Sequence, residues 1–115
     1  MNLTVYHLKN CDTCKKAIKA LNEAGHTLVQ VDVRQDGISP PELARLENAV
    51  GFEALVNRSS TTWRGLEESR KTEMTAHKAL ALMGEYPTLI KRPVIDDGKT
   101  ITVGWNKDIE ALRLQ

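Results

Sequence analysis

The sequence predicts an α/β fold, a four-stranded mixed sheet with flanking helices and a helical insertion between strands two and three. Three observations predict it. The chain opens in β-α-β order, which calls for a parallel pair with a crossover helix. It closes in β-β-α order, with an antiparallel hairpin. The stretch between, about residues 38–84, is mostly helical in its apolar spacing.

Leu3, Val5 and Leu8, with Thr4 and Tyr6 between them, give the first strand. Asn10 to Cys14 makes a turn, with Asp12 or Thr13 as the expected helix cap. Ala17, Ile18, Leu21 and Ala24 then recur at helical spacing up to a stop at Gly25, leaving Lys15, Lys16, Lys19, Asn22 and Glu23 for the wet face. Val29, Val31 and Val33 alternate with Gln30 and Asp32 as a second strand, and Gln35-Asp36-Gly37 turns the chain. Ser39-Pro40-Pro41-Glu42 reads as a helix start with a serine cap. Leu43, Leu46 and Val50 continue that helix to Gly51.

Phe52, Leu55 and Val56 suit a short helical turn, and the polar run from Asn57 to Thr62 suits a loop. Leu66, Met74, Ala76, Ala79, Leu80 and Met83 fall on one or two further helices closed by Gly84. Val94-Ile95, the turn Asp96-Asp97-Gly98-Lys99 and Ile101-Thr102-Val103 form the hairpin. Ile109, Leu112 and Leu114 are the expected apolar face of a closing helix.

A chain of 115 residues, with no repeat or low-complexity linker, is expected to form a single domain over 1–115. Its 41% hydrophobic content and near balance of 16 basic and 15 acidic residues suit a globular protein. They give no reason to expect nucleic acid or a membrane as partner. No apolar run approaches the roughly 18 residues of a membrane span. The start lacks a basic segment and a long apolar segment, so a cytoplasmic location is expected.

Cys11 and Cys14, the only two cysteines, stand three apart at the first strand-to-helix turn. Backbone N–H groups and the helix dipole favour a thiolate there, and Lys15 or Lys16 could add positive charge. The alternative is a small residue that simply packs well. The pair could close a disulfide, or Cys14 could face the core. Zinc fits poorly, because His7, His26 and His77 show no ligand spacing.

Three segments carry a resemblance to the arsenate reductase (ArsC) and Spx-like family of thioredoxin-like proteins. They are Val5-Tyr6-His7-Leu8-Lys9-Asn10-Cys11-Asp12-Thr13, then Leu55-Val56-Asn57-Arg58 through Thr61-Thr62-Trp63-Arg64, and Pro87-Thr88-Leu89-Ile90-Lys91-Arg92-Pro93-Val94-Ile95. The likeness covers about residues 3–112 and is closest to the uncharacterised reductase-like members. It implies a thioredoxin-like fold and Cys11 as the nucleophile of a thiol-dependent oxidoreductase. The mixed disulfide or oxyanion adduct on Cys11 would be resolved by glutathione, glutaredoxin or Cys14. Glutathione is then a co-substrate, with no bound cofactor or metal, and the chain is expected to be a monomer.

The resemblance also implies a cis peptide before Pro93 that sets Arg92 near Cys11; the plain alternative for Arg92 is a surface ion pair. His7 would tune the cysteine or be an ordinary strand residue, and Asn10 would shape the turn. Arg58 sits one position from where the family's first oxyanion arginine falls. The third has no counterpart before Arg113, which counts against arsenate as the substrate. The cations Arg64, Arg70, Lys71 and Lys78 with their acidic neighbours read as a solvated helix face, and Trp63 and Trp105 as packing residues. Spx-like members use the cysteine pair as a redox switch and contact the RNA polymerase alpha subunit. Redox-switched regulation is therefore the alternative function, and true arsenate reduction the second.

Overall fold

A computed structural model describes residues 1–114. The chain divides into two compact units, one of residues 1–36 with the segment from Arg92 onward, the other Gly37–Lys91.

The first unit is built on β1 (Asn2–His7), α1 (Asp12–Glu23), β2 (Thr27–Asp32), β3 (Val94–Asp96), β4 (Ile101–Val103) and α7 (Lys107–Arg113). Its sheet runs β2-β1-β3-β4, with β1 parallel to β2 and antiparallel to β3, and β3 antiparallel to β4. This is the mixed four-stranded sheet expected. Leu3 and Val5 on one face of β1 join Leu21 of α1 and Ile95 of β3 in a buried core, closed by Ile18, Leu28 and Trp105. Each such side chain contributes roughly 1.5–3 kcal/mol of burial, and this core fixes α1 on the sheet.

Several local expectations are corrected. The first strand ends at His7, so Leu8 lies outside it, and Tyr6 on its other face is as buried as its neighbours. In β2 the expected alternation fails at its start and end: Leu28 packs on the core while Val29 is 59% exposed, and Asp32 is buried, whereas Val31 is half-buried and Gln30 exposed as read. Edge position explains this, since the face carrying Val29 is left open at the sheet margin. Val33 is buried but lies beyond the strand. Neither Asp12 nor Thr13 caps α1; the N-cap is Cys11 itself. Gly25, at φ +90°, ends the helix as expected, with the His26 N–H donating to Leu21 O.

The hairpin is as read, its turn held by Asp96 Oδ1 on the Gly98 N–H and Asp97 Oδ1 on the Lys99 and Thr100 N–H groups. In α7 the expected apolar face is wrong. Leu112 is 51% exposed and Leu114 is also exposed, whereas Arg113 is 4% exposed. Its guanidinium donates to Asp97 Oδ2 at 2.9 Å, Ile95 O at 2.9 Å, Thr100 O at 3.1 Å and Thr102 Oγ1. A buried cation is tolerable only when so fully paired.

The second unit holds α2 (Pro40–Val50), α3 (Phe52–Leu55), α4 (Thr61–Arg64), α5 (Glu68–Lys71), α6 (Ala76–Glu85) and a 3-10 turn (Pro87–Leu89). Ser39 and Glu42 form the expected capping box at the start of α2. The chain pairs with itself again at Val56 and Ile90. Leu43, Leu46, Leu55, Leu82 and Met83 are buried where α2, α3 and α6 pack. The polar run from Asn57 is only half loop. Ser60 caps α4, so Thr61 and Thr62 are helical. Gly84 lies inside α6 and does not end it. Among the described residues no helix is long and apolar enough to cross a membrane.

Candidate functional site

The site begins where β1 leaves the sheet. The Val33 N–H donates to His7 O at 2.9 Å, the last link of that ladder, and the chain then turns through Leu8, Lys9 and Asn10. The Cys11 N–H closes this turn on Leu8 O at 3.1 Å, and the Lys15 N–H opens α1 by bonding Cys11 O at 3.0 Å. Cys11 has extended backbone, φ −93° and ψ 113°, and is the N-cap of α1. Its sulfur sits at the positive end of the helix, with the Cys14 backbone N–H of the first turn as a hydrogen-bond partner.

The two thiols have opposite surroundings. Cys11 is half-buried, Cys14 is wholly buried on the inner face of α1, and both are free. Burial alone would raise the Cys11 pKa. Hydrogen bonds from the Cys14 thiol and backbone outweigh it, helped by the charge and hydrogen bond of Arg92, and the net pKa is lowered. Burial pushes the Cys14 thiol up to about 12; a hydrogen bond from the Leu8 backbone opposes this, and the neighbouring Cys11 adds to it. Cys11 is thus the more acidic sulfur of the pair, and Cys14 the one held as a thiol beside it.

Arg92 lies just ahead of Pro93, the residue before β3, and the Arg92–Pro93 bond is cis, the isomer the resemblance implies. Pro93 is buried, and its carbonyl accepts the Gly104 N–H at 2.8 Å. The structure therefore gathers Cys11, Cys14 and Arg92 from two distant stretches of sequence.

Other expected residues fall differently. His7 is half-buried and lines an open groove of about 500 Å³ with Cys14, Lys15, Lys19 and Gln30. It interacts electrostatically with Asp32, which lies opposite it on β2. Asn10 is exposed at a small cleft shared with Lys9, Asp32 and Arg34. Arg58 belongs to the second unit, where its guanidinium lies 5.6 Å from the Trp63 ring centroid; Lys71 Nζ lies 5.8 Å from it. Trp105 packs on the sheet core as expected. Arg113 is committed to the hairpin. Arg70 pairs with Glu85 at 2.6 Å and Lys71 with Glu68 at 3.5 Å, so these cations have local partners. Among the described residues no cluster of three or more His, Cys, Asp or Glu side chains could hold a metal ion.

Sequence reasoning missed Asp32. It is 8% exposed and accepts the Lys9 N–H on Oδ2 and the Arg34 and Gln35 N–H groups on Oδ1. These bonds, led by that of Gln35, hold its pKa below the usual carboxylate value. The available signal was an aspartate at the end of a strand, just ahead of a turn.

Residues 6–111 match the ArsC family. An uncharacterised protein of Haemophilus influenzae is 44% identical over 106 residues, covering 91% of this chain and 92% of the relative. The global transcriptional regulator Spx of Bacillus subtilis is 26% identical over 108 residues, covering 92% of this chain and 82% of Spx. A solved protein named YFFB superposes with a TM-score of 0.92 at 35% identity, covering 98% of this chain and 99% of that one.

Proposed function

Since the chain belongs to the ArsC family, we propose that it is a thiol-disulfide oxidoreductase with Cys11 as its nucleophile. The observation that carries this reading is the asymmetry of the pair: Cys11 is half-buried at the N-cap of α1, while Cys14 is wholly buried one turn inside the helix, and the Cys11 pKa is lowered where that of Cys14 is raised. The Cys11 thiolate attacks one sulfur of a substrate disulfide. That S–S bond breaks, the departing thiolate takes a proton from water, and a mixed disulfide forms on Cys11. A glutathione thiolate then attacks the substrate-derived sulfur of that bond and returns Cys11 as thiolate, leaving a substrate–glutathione disulfide. A second glutathione thiolate attacks its glutathione sulfur, releasing the second substrate thiolate and glutathione disulfide. The substrate disulfide gains two electrons, and two thiols supply them. Cys14, buried and protonated, is a poor attacking group at neutral pH, which favours glutathione or glutaredoxin as the resolving thiol.

Two measurements test this. Alkylation of Cys11 followed against pH should give a midpoint below an ordinary thiol, about 8.5. Reduction of a small mixed disulfide, coupled to glutathione, should be lost in Cys11→Ser. An ordinary midpoint together with no turnover would sink the proposal.

The likeness to Spx and the presence of a second, touching cysteine favour one other reading, a redox-switched regulator that contacts the RNA polymerase alpha subunit. Capture of the alpha C-terminal domain that differs between oxidised and reduced protein would support it; no capture in either state would end it. Arsenate reduction is less favoured, since Arg113 is fully bonded in the hairpin and Arg58 lies over Trp63.

A further inference from the structure

We infer that Asp32 is the positioning residue that fixes the Leu8–Cys11 turn and thereby sets the reactivity of Cys11. The inference deepens the thiol reading above and rests on it. Beyond His7 the chain has left the sheet, so the Lys9 N–H has no strand to bond. Asp32 supplies the missing acceptor at 3.1 Å. Its other oxygen holds the Arg34 and Gln35 N–H groups, both at 2.9 Å, and its own N–H donates to Asp36 Oδ2 at 2.9 Å. One carboxylate thus ties the turn after β2 to the turn before α1.

The tethered turn is the one that positions both sulfurs. Leu8 O receives the Cys11 N–H, and the Leu8 backbone bonds the Cys14 thiol. Lys9 sits between these contacts and Cys11, so slack at Lys9 is passed on to the sulfur pair. A misplacement of about 1 Å at a reacting group can cost on the order of a hundredfold in rate.

Charge and position predict opposite signs. A carboxylate acting through its charge opposes a nearby thiolate, so removing it would lower the Cys11 pKa. A carboxylate acting as a tether stabilises the geometry that favours the thiolate, so removing it raises that pKa. The titratable and charged groups facing Asp32 are His7 from β1, Lys9 and Arg34 at the cleft, and Asp36 from the following turn.

The test is the pH profile of Cys11 alkylation in Asp32→Asn, read beside Asp36→Asn. In Asp32→Asn the midpoint should rise by about half a unit to one unit, slowing alkylation at neutral pH about three- to tenfold. Asp36→Asn leaves the Lys9 contact in place and should leave the midpoint where it was. No change, or a downward shift, in Asp32→Asn overturns the inference. A wild-type midpoint near 8.5 overturns the thiol reading instead. Exchange of the Lys9 amide proton in the folded wild type tests the tether without any variant, even if Asp32→Asn fails to fold. Slow exchange supports it, and exchange at the rate of a free amide overturns it.

Discussion

Arg92 and Arg113 bracket the C-terminal hairpin, and their contrast separates chemistry from architecture. Arg113 is 4% exposed, and Asp97, Thr102 and two carbonyls accept from its guanidinium. Its charge is spent inside the fold, on the hairpin that β3 forms with β4. Arg92 is half-exposed and acts on the sulfur pair, lowering the pKa of Cys11. A guanidinium whose hydrogen bonds are all internal stabilises the fold, whereas one directed at a thiolate alters reactivity.

The contrast can be broken, and the largest effect should come from the sulfur itself. Cys11→Ser should abolish both alkylation at this site and glutathione-coupled turnover while leaving thermal unfolding little changed. Arg113→Ala comes next. Removing one partner of a buried pair costs about 3 kcal/mol, read as a lower denaturant midpoint. While folded, that variant should keep its low Cys11 alkylation midpoint. Arg92→Ala should do the reverse, raising the alkylation midpoint and slowing reaction at neutral pH several-fold, with a smaller loss of stability than Arg113→Ala. If Arg113→Ala moved the alkylation midpoint as far as Arg92→Ala does, the division of labour between the two arginines would be wrong.

Acid unfolding sharpens the same comparison. The Asp97 pKa is held below its usual value by the Thr100 and Lys99 N–H groups first and by Arg113 as well. A carboxyl depressed on folding contributes stability above its unfolded pKa of about 3.9, and that contribution is lost as pH falls through the lower folded value. Asp32 follows the same rule. Stability should therefore fall below about pH 4 in the wild type, and Asp97→Asn should flatten that fall. The smallest effect lies in the second unit, where Ser39→Ala should cost about 1 kcal/mol through its cap without altering Cys11.

Short-range signals were read well. The capping box of Ser39 and Glu42, the turn through Asp97 and Gly98, and the stop at Gly25 each involve residues within a few positions, so their chemistry is written locally. What escaped depends on distant strands. Val29 is apolar but exposed because β2 is an edge, and nothing within the segment says so. Arg113 looks like a wet residue on a helix until the hairpin carbonyls are brought beneath it. At the site, Cys11 was legible from its place ahead of a helix, and Arg92-Pro93 only through family likeness. Asp32 was not legible, because its role needs β2 laid in register beside β1.

Cys11 occupies the position where helices normally carry an oxygen acceptor, and this joins two equilibria. An anionic sulfur there can accept from the first-turn N–H groups; a protonated or disulfide-bonded sulfur accepts far more weakly. The start of α1 and the ionisation of Cys11 are therefore coupled, by a free energy on the order of 1 kcal/mol if a cap is the guide. Tightening the first turn of the helix should raise the thiolate fraction, and under the proposed mechanism an adduct on Cys11 should loosen that turn. Helix order at residues 12–14 should rise and fall with the oxidation state of one atom.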